Sequence, residues 1–415
     1  MFSIGIRNRI LAKGVKVNNQ VDLDISDVQV RTNPYSTFSD LRQSGEIIWS
    51  ERLGIWLAPT HASANAVLRA KTLGRIFTPR QPESEWNVFN WLHADSILDS
   101  EPPKHTRLRG LVQKAFTPGR IAALKPNIVE ICEKLLDDAE SKLRENAQFD
   151  LLADFAEPLP VLVIADLLGV PRQAVSDLRR WSQDIVKMYE VAPSDLETKA
   201  AQDSCLQFSE FIAHLARQRR ENPRTDLITA LVEVEEAGER LNEHELIAMC
   251  VLLLNAGHEA SVNGFGNGFV ALCQHPQQLA MLVQEPNLHA RTALEEMMRF
   301  DSPLQLFERT AIQDTQIGSV TIKTGQKVGA LLGAANRDPA VFEDADEFNI
   351  LRDPNPHIAF GAGIHFCIGA PLARLEMQTS LTMLLERFPT LHLAGPAIQR
   401  PTFVLRGWST IPVSI

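Results

Sequence analysis

The stretch Phe360-Gly361-Ala362-Gly363-Ile364-His365-Phe366-Cys367-Ile368-Gly369 restricts this chain more than any other. Gly361 and Gly363 let a backbone turn tightly and come close to a flat ligand. Cys367 follows where a helical pattern opens, in CIGAPLARLEMQTSLTMLLERF. Its sulfur is therefore expected at a helix N-terminus, where unpaired N–H groups and the macrodipole favour the thiolate. A thiolate held in this way is a candidate metal ligand. A lone cysteine after a glycine turn is more often simple packing, so the reading depends on what the rest of the chain supplies.

The stretch resembles the heme-binding signature of the cytochrome P-450 family of heme-thiolate monooxygenases, in which the cysteine is the proximal ligand of the iron. Its fixed positions Phe360, Gly361, Gly363, His365, Cys367 and Gly369 would coincide by chance roughly once in a million sequences of this composition. The resemblance implies a mainly α fold with a minor β portion and a long central helix over a buried heme. It places Phe360 and Gly361 beside the cofactor and Cys367 on the metal. The CxxCH attachment motif is lacking, so the implied cofactor is free heme b. With no flavin or nicotinamide motif, no bound flavin is expected. Electrons would come from separate proteins, by family habit a ferredoxin and its ferredoxin reductase, with NAD(P)H upstream.

The composition agrees with a large soluble chain: 415 residues, 45% apolar and 22% charged, hold ample material for a core. No Gly/Ser- or Pro-rich linker divides them. The expectation is one domain over residues 1–415, with 1–33 as an irregular N-terminal extension. A net charge of −10 disfavours nucleic acid as a partner. Cys132, Cys205, Cys250, Cys273 and Cys367 are scattered and odd in number, a reduced cytoplasmic pattern. Arg7, Arg9, Lys13 and Lys16 interrupt the N-terminal residues, which hold no run near the ~20 apolar residues of a bilayer span. A soluble, bacterial-type monomer without a membrane anchor is expected.

Along the chain, Asn33-Pro34 opens a short helix that stops at Gly45. EIIWS and LGIWLA then alternate like a hairpin. Helical patterns occupy 60–69, 103–115, 120–145, 158–168, 172–189, 196–221, 242–274, 276–284, 287–301 and 367–387, and strand-like pieces lie at 304–333 and 390–414. Residues 75–100 read as a long connection carrying Trp86, Phe89 and Trp91. In relatives this region covers the substrate pocket, so these aromatics are candidate pocket residues. In EPPKHTRLRGLVQKAF, His105 and Arg109 lie four apart on one helical face. The string resembles the family's HTRLR helix, whose His and Arg bond the heme propionates, and Arg309 and His365 match the family's other propionate contacts.

Residues 242–274 read as one helix, apolar nearly all round and hence buried. His258-Glu259 begins an HExxH zinc pattern, but Val262 stands where the second histidine would. Glycines in a helix cost roughly 1 kcal/mol each, so close packing is expected at Gly257, Gly264, Gly266 and Gly268. Ala256-Gly257-His258-Glu259-Ala260-Ser261 resembles the family's oxygen-activation motif, which implies room for dioxygen over Ala256 and Gly257 and a proton path through Glu259. Ala260 departs from it, because the family has a threonine there. Ser261 carries a hydroxyl ~100° further round the helix. This departure predicts electron leakage to peroxide with poorly fitting substrates, and it leaves open peroxide-driven or non-oxygenase chemistry, or a non-catalytic heme sensor.

Glu296 and Arg299 form an i,i+3 pair, and together with Arg352 they match the family's buried Glu-Arg-Arg network. By position Leu252, Asn255, Leu304, Gln305 and Phe307 would face a small apolar substrate, Asn255 and Gln305 as hydrogen-bond donors. Lys104, Arg107, Lys114 and Arg374 are candidates for a basic face near Cys367 that receives the electron carrier.

Overall fold

The computed structural model describes residues 22–189, 193–234 and 238–415. Its axis is the helix Glu243–Gln274, 32 residues long. The Asn242 side chain accepts the Glu245 N–H at 2.8 Å while the Glu245 carboxylate accepts the Asn242 N–H at 3.0 Å, so two end donors are satisfied reciprocally. By length and composition this helix could cross a membrane, but most of it is buried in the fold. It packs against Pro158–Leu168, Pro286–Phe300 and Asp195–Glu221. Its glycines permit that approach: a Cβ at Gly268 would lie 2.3 Å from Met297, and one at Gly266 3.0 Å from Leu152.

The expected helices form around this axis, including His61–Arg69, Lys104–Ala115, Lys125–Asn146, Pro276–Gln284 and Pro286–Phe300. One region differs. Residues 75–100 are not a plain connection, because Glu83–Ala94 is a helix. The Gln202 side chain on Asp195–Glu221 accepts the Phe89 N–H at 3.1 Å and donates to the Glu85 carbonyl at 2.7 Å. Tertiary bonds thus support a segment whose asparagines weaken its intrinsic helicity. At the N-terminal side, Val28–Thr32 is a helical turn capped by Asp27 within the expected irregular extension. Residues 1–21, with Arg7, Arg9, Lys13 and Lys16, lie outside the described residues, as do 190–192 and 235–237.

The β portion is minor. Its largest sheet runs in the order Ile48–Ser50, Ile55–Ala58, Lys327–Leu331, Leu306–Ala311 and Leu73–Gly74. The hairpin pairs Trp49 with Trp56. Ile55–Ala58 runs parallel to Lys327–Leu331, and Leu306–Ala311 runs antiparallel to it. Phe307 and Arg309 therefore emerge from a sheet, which gives them a firmer base than a loop would.

Candidate active site

A cavity separates the middle of the central helix from the Cys367 stretch. Ala256, Gly257 and Glu259 line one wall, and Phe360, Gly361 and Cys367 line the other. The lower wall depends on its glycines. Gly361 and Gly363 have φ of +73° and +71°, a region costly for side chains bearing a Cβ. A Cβ at Gly363 would also lie 2.4 Å from the Leu68 carbonyl oxygen. The loop closes when the Cys367 N–H donates to the Phe360 carbonyl at 2.9 Å.

The helix begins at Ala370, not at Cys367, and Gly369 caps it. Cys367 thus precedes the helix, with the N–H groups of Gly369 and Ala370 bonded to its sulfur. Cys367 is accessible where it lines the cavity, although the thiol lies deep in the protein. Burial pushes the thiol up. The two N–H groups and the guanidiniums of Arg109 and Arg374 pull the other way without prevailing. The expected thiolate therefore needs more than a helix N-terminus, and a bound cation would supply it.

Along one rim of the cavity stand His105, Arg109 and His365. Arg109 Nη2 donates to the Phe366 carbonyl at 2.8 Å, and His365 Nε2 meets Glu101 Oε1 at 2.8 Å. Arg309 lies off the lining, with its guanidinium 4.5 Å above the Phe307 ring. Burial lowers His105 to about 4, helped by His365 and Arg109, and lowers Arg309 to about 9, helped by Arg75. His105 Nε2 and Arg309 Nη2 are buried without a hydrogen-bond partner. Buried polar atoms ordinarily find partners, so this rim suits an anionic group. The residues fit a heme: a sulfur donor for iron, apolar walls for the ring, and donors for its carboxylates.

On the opposite wall Leu252, Asn255, Ala256, Gly257, Glu259, Ala260 and Ser261 all reach the cavity. A Cβ at Gly257 would lie 2.3 Å from Ile164, so this glycine lets a neighbouring helix close over the wall. Arg400 Nη1 donates to Glu259 Oε2 at 2.7 Å, and Arg400 Nε donates to the Trp408 carbonyl at 3.0 Å. Nothing local in the sequence marks Arg400, because a gap of 141 residues separates the two partners.

The sequence profile of the family described as "Cytochrome P450" matches residues 25–404. The chain belongs to the cytochrome P450 family. Its class is that of the P450 monooxygenases. Among curated relatives, the "Polyketide biosynthesis cytochrome P450 PksS" of Bacillus subtilis (strain 168) is 38% identical over 398 residues, covering 92% of this chain and 96% of the relative. The "6-deoxyerythronolide B hydroxylase" of Saccharopolyspora erythraea is 34% identical over 407 residues, covering 94% and 98%. Among solved structures, "P450BioI in complex with hexadec-9Z-enoic acid ligated Acyl Carrier Protein" matches with a TM-score of 0.87 at 34% identity, covering 93% of this chain and 99% of that one.

In this P450 the remaining pocket candidates divide. Leu304 and Phe307 line the cavity with Leu252 and Asn255. Gln305 does not: it is fully buried elsewhere, with Nε2 donating to the Ser302 carbonyl at 2.7 Å and its amide packed against Gly333. Gln305 precedes the strand Leu306–Ala311, and its amide closes onto the Ser302 carbonyl instead of the cavity. Trp86, Phe89 and Trp91 also stand off the lining. Trp86 and Phe89 pack under the Arg80 guanidinium at 4.5 and 4.9 Å. Trp91 is exposed and stacks on His244 at 4.0 Å. Forming a helix there turned these rings away from the cavity.

The scaffold of the P450 holds the Glu296, Arg299 and Arg352 side chains together. Arg299 grips Glu296 in a two-pronged fork at 2.7 and 2.8 Å. It also donates to the carbonyls of Asn336, Ala345 and Glu347. Arg352 Nε reaches Glu296 Oε2 at 3.2 Å and its Nη1 reaches the Glu343 carbonyl at 2.7 Å. Asn355 Nδ2 and the Asn349 N–H, to which nothing in the sequence points, complete the carboxylate's shell at 3.1 and 2.9 Å. The fork is a geometry only arginine offers.

The expected basic face is largely neutralised. Lys104 pairs with Asp95, Arg107 with Glu245 and Glu239, and Arg374 with Glu295 at 2.6 Å. Lys114 also has a partner.

Proposed function

We propose that this P450 inserts one oxygen atom from O2 into a C–H bond of a small, largely apolar substrate held between Leu252, Leu304 and Phe307. Heme b, ligated by Cys367, would supply oxygen activation and one-electron chemistry when bound. The reading rests on one juxtaposition: a sulfur facing an apolar cavity whose rim carries His105, with an unpartnered ring nitrogen, beside Arg109 and His365. His105, Arg109, Arg309 and His365 would hold the propionates. Phe360, Gly361, Ala256 and Gly257 would bound the ring on its two sides.

Glu259 is the proton carrier in this reading. Arg400 occupies Oε2, so a proton passing through the carboxyl does so at Oε1. The Arg400 side chain is partly exposed, which places Glu259 one residue from solvent. Ala260 offers no hydroxyl, and Ser261, also on the lining, is the nearest one along the helix. Reduction is assigned to a ferredoxin and ferredoxin reductase, with NAD(P)H upstream. The chain would act as a single cytoplasmic domain.

The test is spectroscopic and catalytic together. Heme-loaded protein, reduced and treated with carbon monoxide, should show the red-shifted Soret band of a thiolate-ligated iron. Cys367→Ala should lose it. With ferredoxin, its reductase and NAD(P)H, the wild type should oxygenate at least one member of a terpenoid, steroid and fatty-acid panel. An unchanged band in Cys367→Ala would overturn the assignment.

A further inference from the structure

The cavity is as informative in the charges it lacks as in the groups it holds. Among the described residues its lining includes no lysine, and its one arginine is Arg109. In the proposed function Arg109 is engaged, with His105 and His365, by the carboxylates of the heme. Val186, Met249, Leu252, Leu253, Leu304 and Leu405 line the cavity with hydrocarbon, and Tyr189 and Asn255 add polar but uncharged groups. The Tyr189 hydroxyl lies 3.1 Å from His93 Nε2, and His93 Nδ1 lies 2.7 Å from the Phe89 carbonyl oxygen.

The acidic members of the lining are Glu259 and Glu376. Neither balances the charge of an anion. Glu259 is paired with Arg400, which stands off the lining. Glu376 is buried, and that burial raises its carboxyl well above the usual carboxylate range. Arg80 is likewise off the lining: it donates to the Met188 carbonyl and lies 4.5 Å over the Trp86 ring. Residues 190–192 and 235–237, outside the described ones, contain no lysine or arginine.

An ionised ligand enclosed here would leave water and gain no counter-charge. Such burial is strongly unfavourable, whereas burial of a neutral polar group costs far less. We propose that the cavity admits uncharged substrates and excludes carboxylates. This rests on the reading of the cavity as the substrate site beside the heme, and it narrows the substrate class by charge. A molecule that begins as a carboxylic acid must arrive with that group capped as an ester, amide or thioester.

The test uses the heme-loaded full chain. Dissociation constants are measured by calorimetry alongside Soret titration, so that binding without a spectral shift is counted. The ligands are the carboxylic acids of adamantane, decalin and cyclododecane, each beside its primary amide and methyl ester. Carboxylate and carboxamide have nearly the same shape, so the pair isolates charge, and the compact frames keep that group inside the cavity. At about pH 8 the acids, which titrate near ~4–5, are almost wholly ionised. Amide and ester should then bind at least roughly a hundredfold more tightly than the acid. Lowering the pH from about 8 to about 6 should strengthen acid binding about tenfold per unit, as the neutral form recovers, and leave amide binding flat. Leu252→Arg, which adds a cation to the lining, should bring acid and amide within about threefold of each other at the higher pH. Wild type that already binds the two within about threefold, or acid binding that ignores pH, would overturn the proposal and leave the substrate site standing. Neither reading needs a variant to fold. Binding of none of the ligands, neutral ones included, would overturn the substrate-cavity reading as well.

Discussion

Two buried polar regions of this P450 are built on opposite principles. Around Glu296, both carboxylate oxygens and the forks of Arg299 and Arg352 are bonded to one another or to backbone carbonyls. His105 Nε2 and Asn255 Oδ1, on residues that line the cavity, have no partner, and neither has Arg309 Nη2. In the first region every charged group is bonded within the protein, and its charges serve the fold. The second leaves polar atoms open, and in the proposed reading they mark where a bound group would sit. Burial alone would not separate the two, since Glu296, Arg299, Arg309 and His105 are all nearly inaccessible. Among these four side chains, the presence or absence of an unpartnered atom does.

Removing one member of the closed region should have the largest effect. Glu296→Gln leaves two guanidiniums facing a neutral amide in the interior, and one-sided removal of a buried charge typically costs ~3–5 kcal/mol. Urea unfolding of the apoprotein should show that loss. A change below about 1 kcal/mol would mean that the region tolerates imbalance as the cavity does.

An intermediate effect is expected from pH. His93 has partners on both nitrogens, yet burial holds it at about 4, whereas in the unfolded chain a histidine titrates near ~6.5. Between those values the unfolded state carries the extra proton. Stability therefore rises with pH across the window and is lost on acidification from about 6.5 toward 4. His93→Phe should flatten this slope by up to roughly 3 kcal/mol. Apoprotein unfolding followed at several pH values would show it, and parallel wild-type and variant slopes would refute it.

The smallest effect on stability belongs to the open region, where its sign distinguishes the two. His105→Leu removes an unpartnered polar atom, so apoprotein stability should stay level or rise by about 1 kcal/mol. Heme transfer from the loaded variant to a competing heme-binding apoprotein should nevertheless quicken roughly tenfold, the equivalent of one lost charge-assisted bond. Destabilised apoprotein with unchanged heme transfer would move His105 into the closed class.

Features carried by short spacing are legible in the sequence. The helices at 276–284 and 158–168 form at those bounds. The central helix forms within a residue of its expected span, because apolar periodicity and a cap are local. The Cys367 stretch is legible because its glycines are needed where the backbone turns to positive φ. Less is visible where the deciding contact comes from far along the chain. Glu83–Ala94 reads as a connection until Gln202 clamps it. Gln305 reads as a pocket residue until its amide is seen bonded to the Ser302 carbonyl and packed against Gly333. Arg400 carries no signal beside Glu259 at all.

By itself, the sequence determined the family, the mainly α architecture and the sulfur at position 367, because each rests on patterns a few residues long. Tertiary structure alone decided which buried polar atoms are satisfied. It joined Arg400 to Glu259 and His93 to Tyr189. Hydrogen-bond satisfaction depends on what distant segments bring within about 3 Å of an atom, and no local pattern records that.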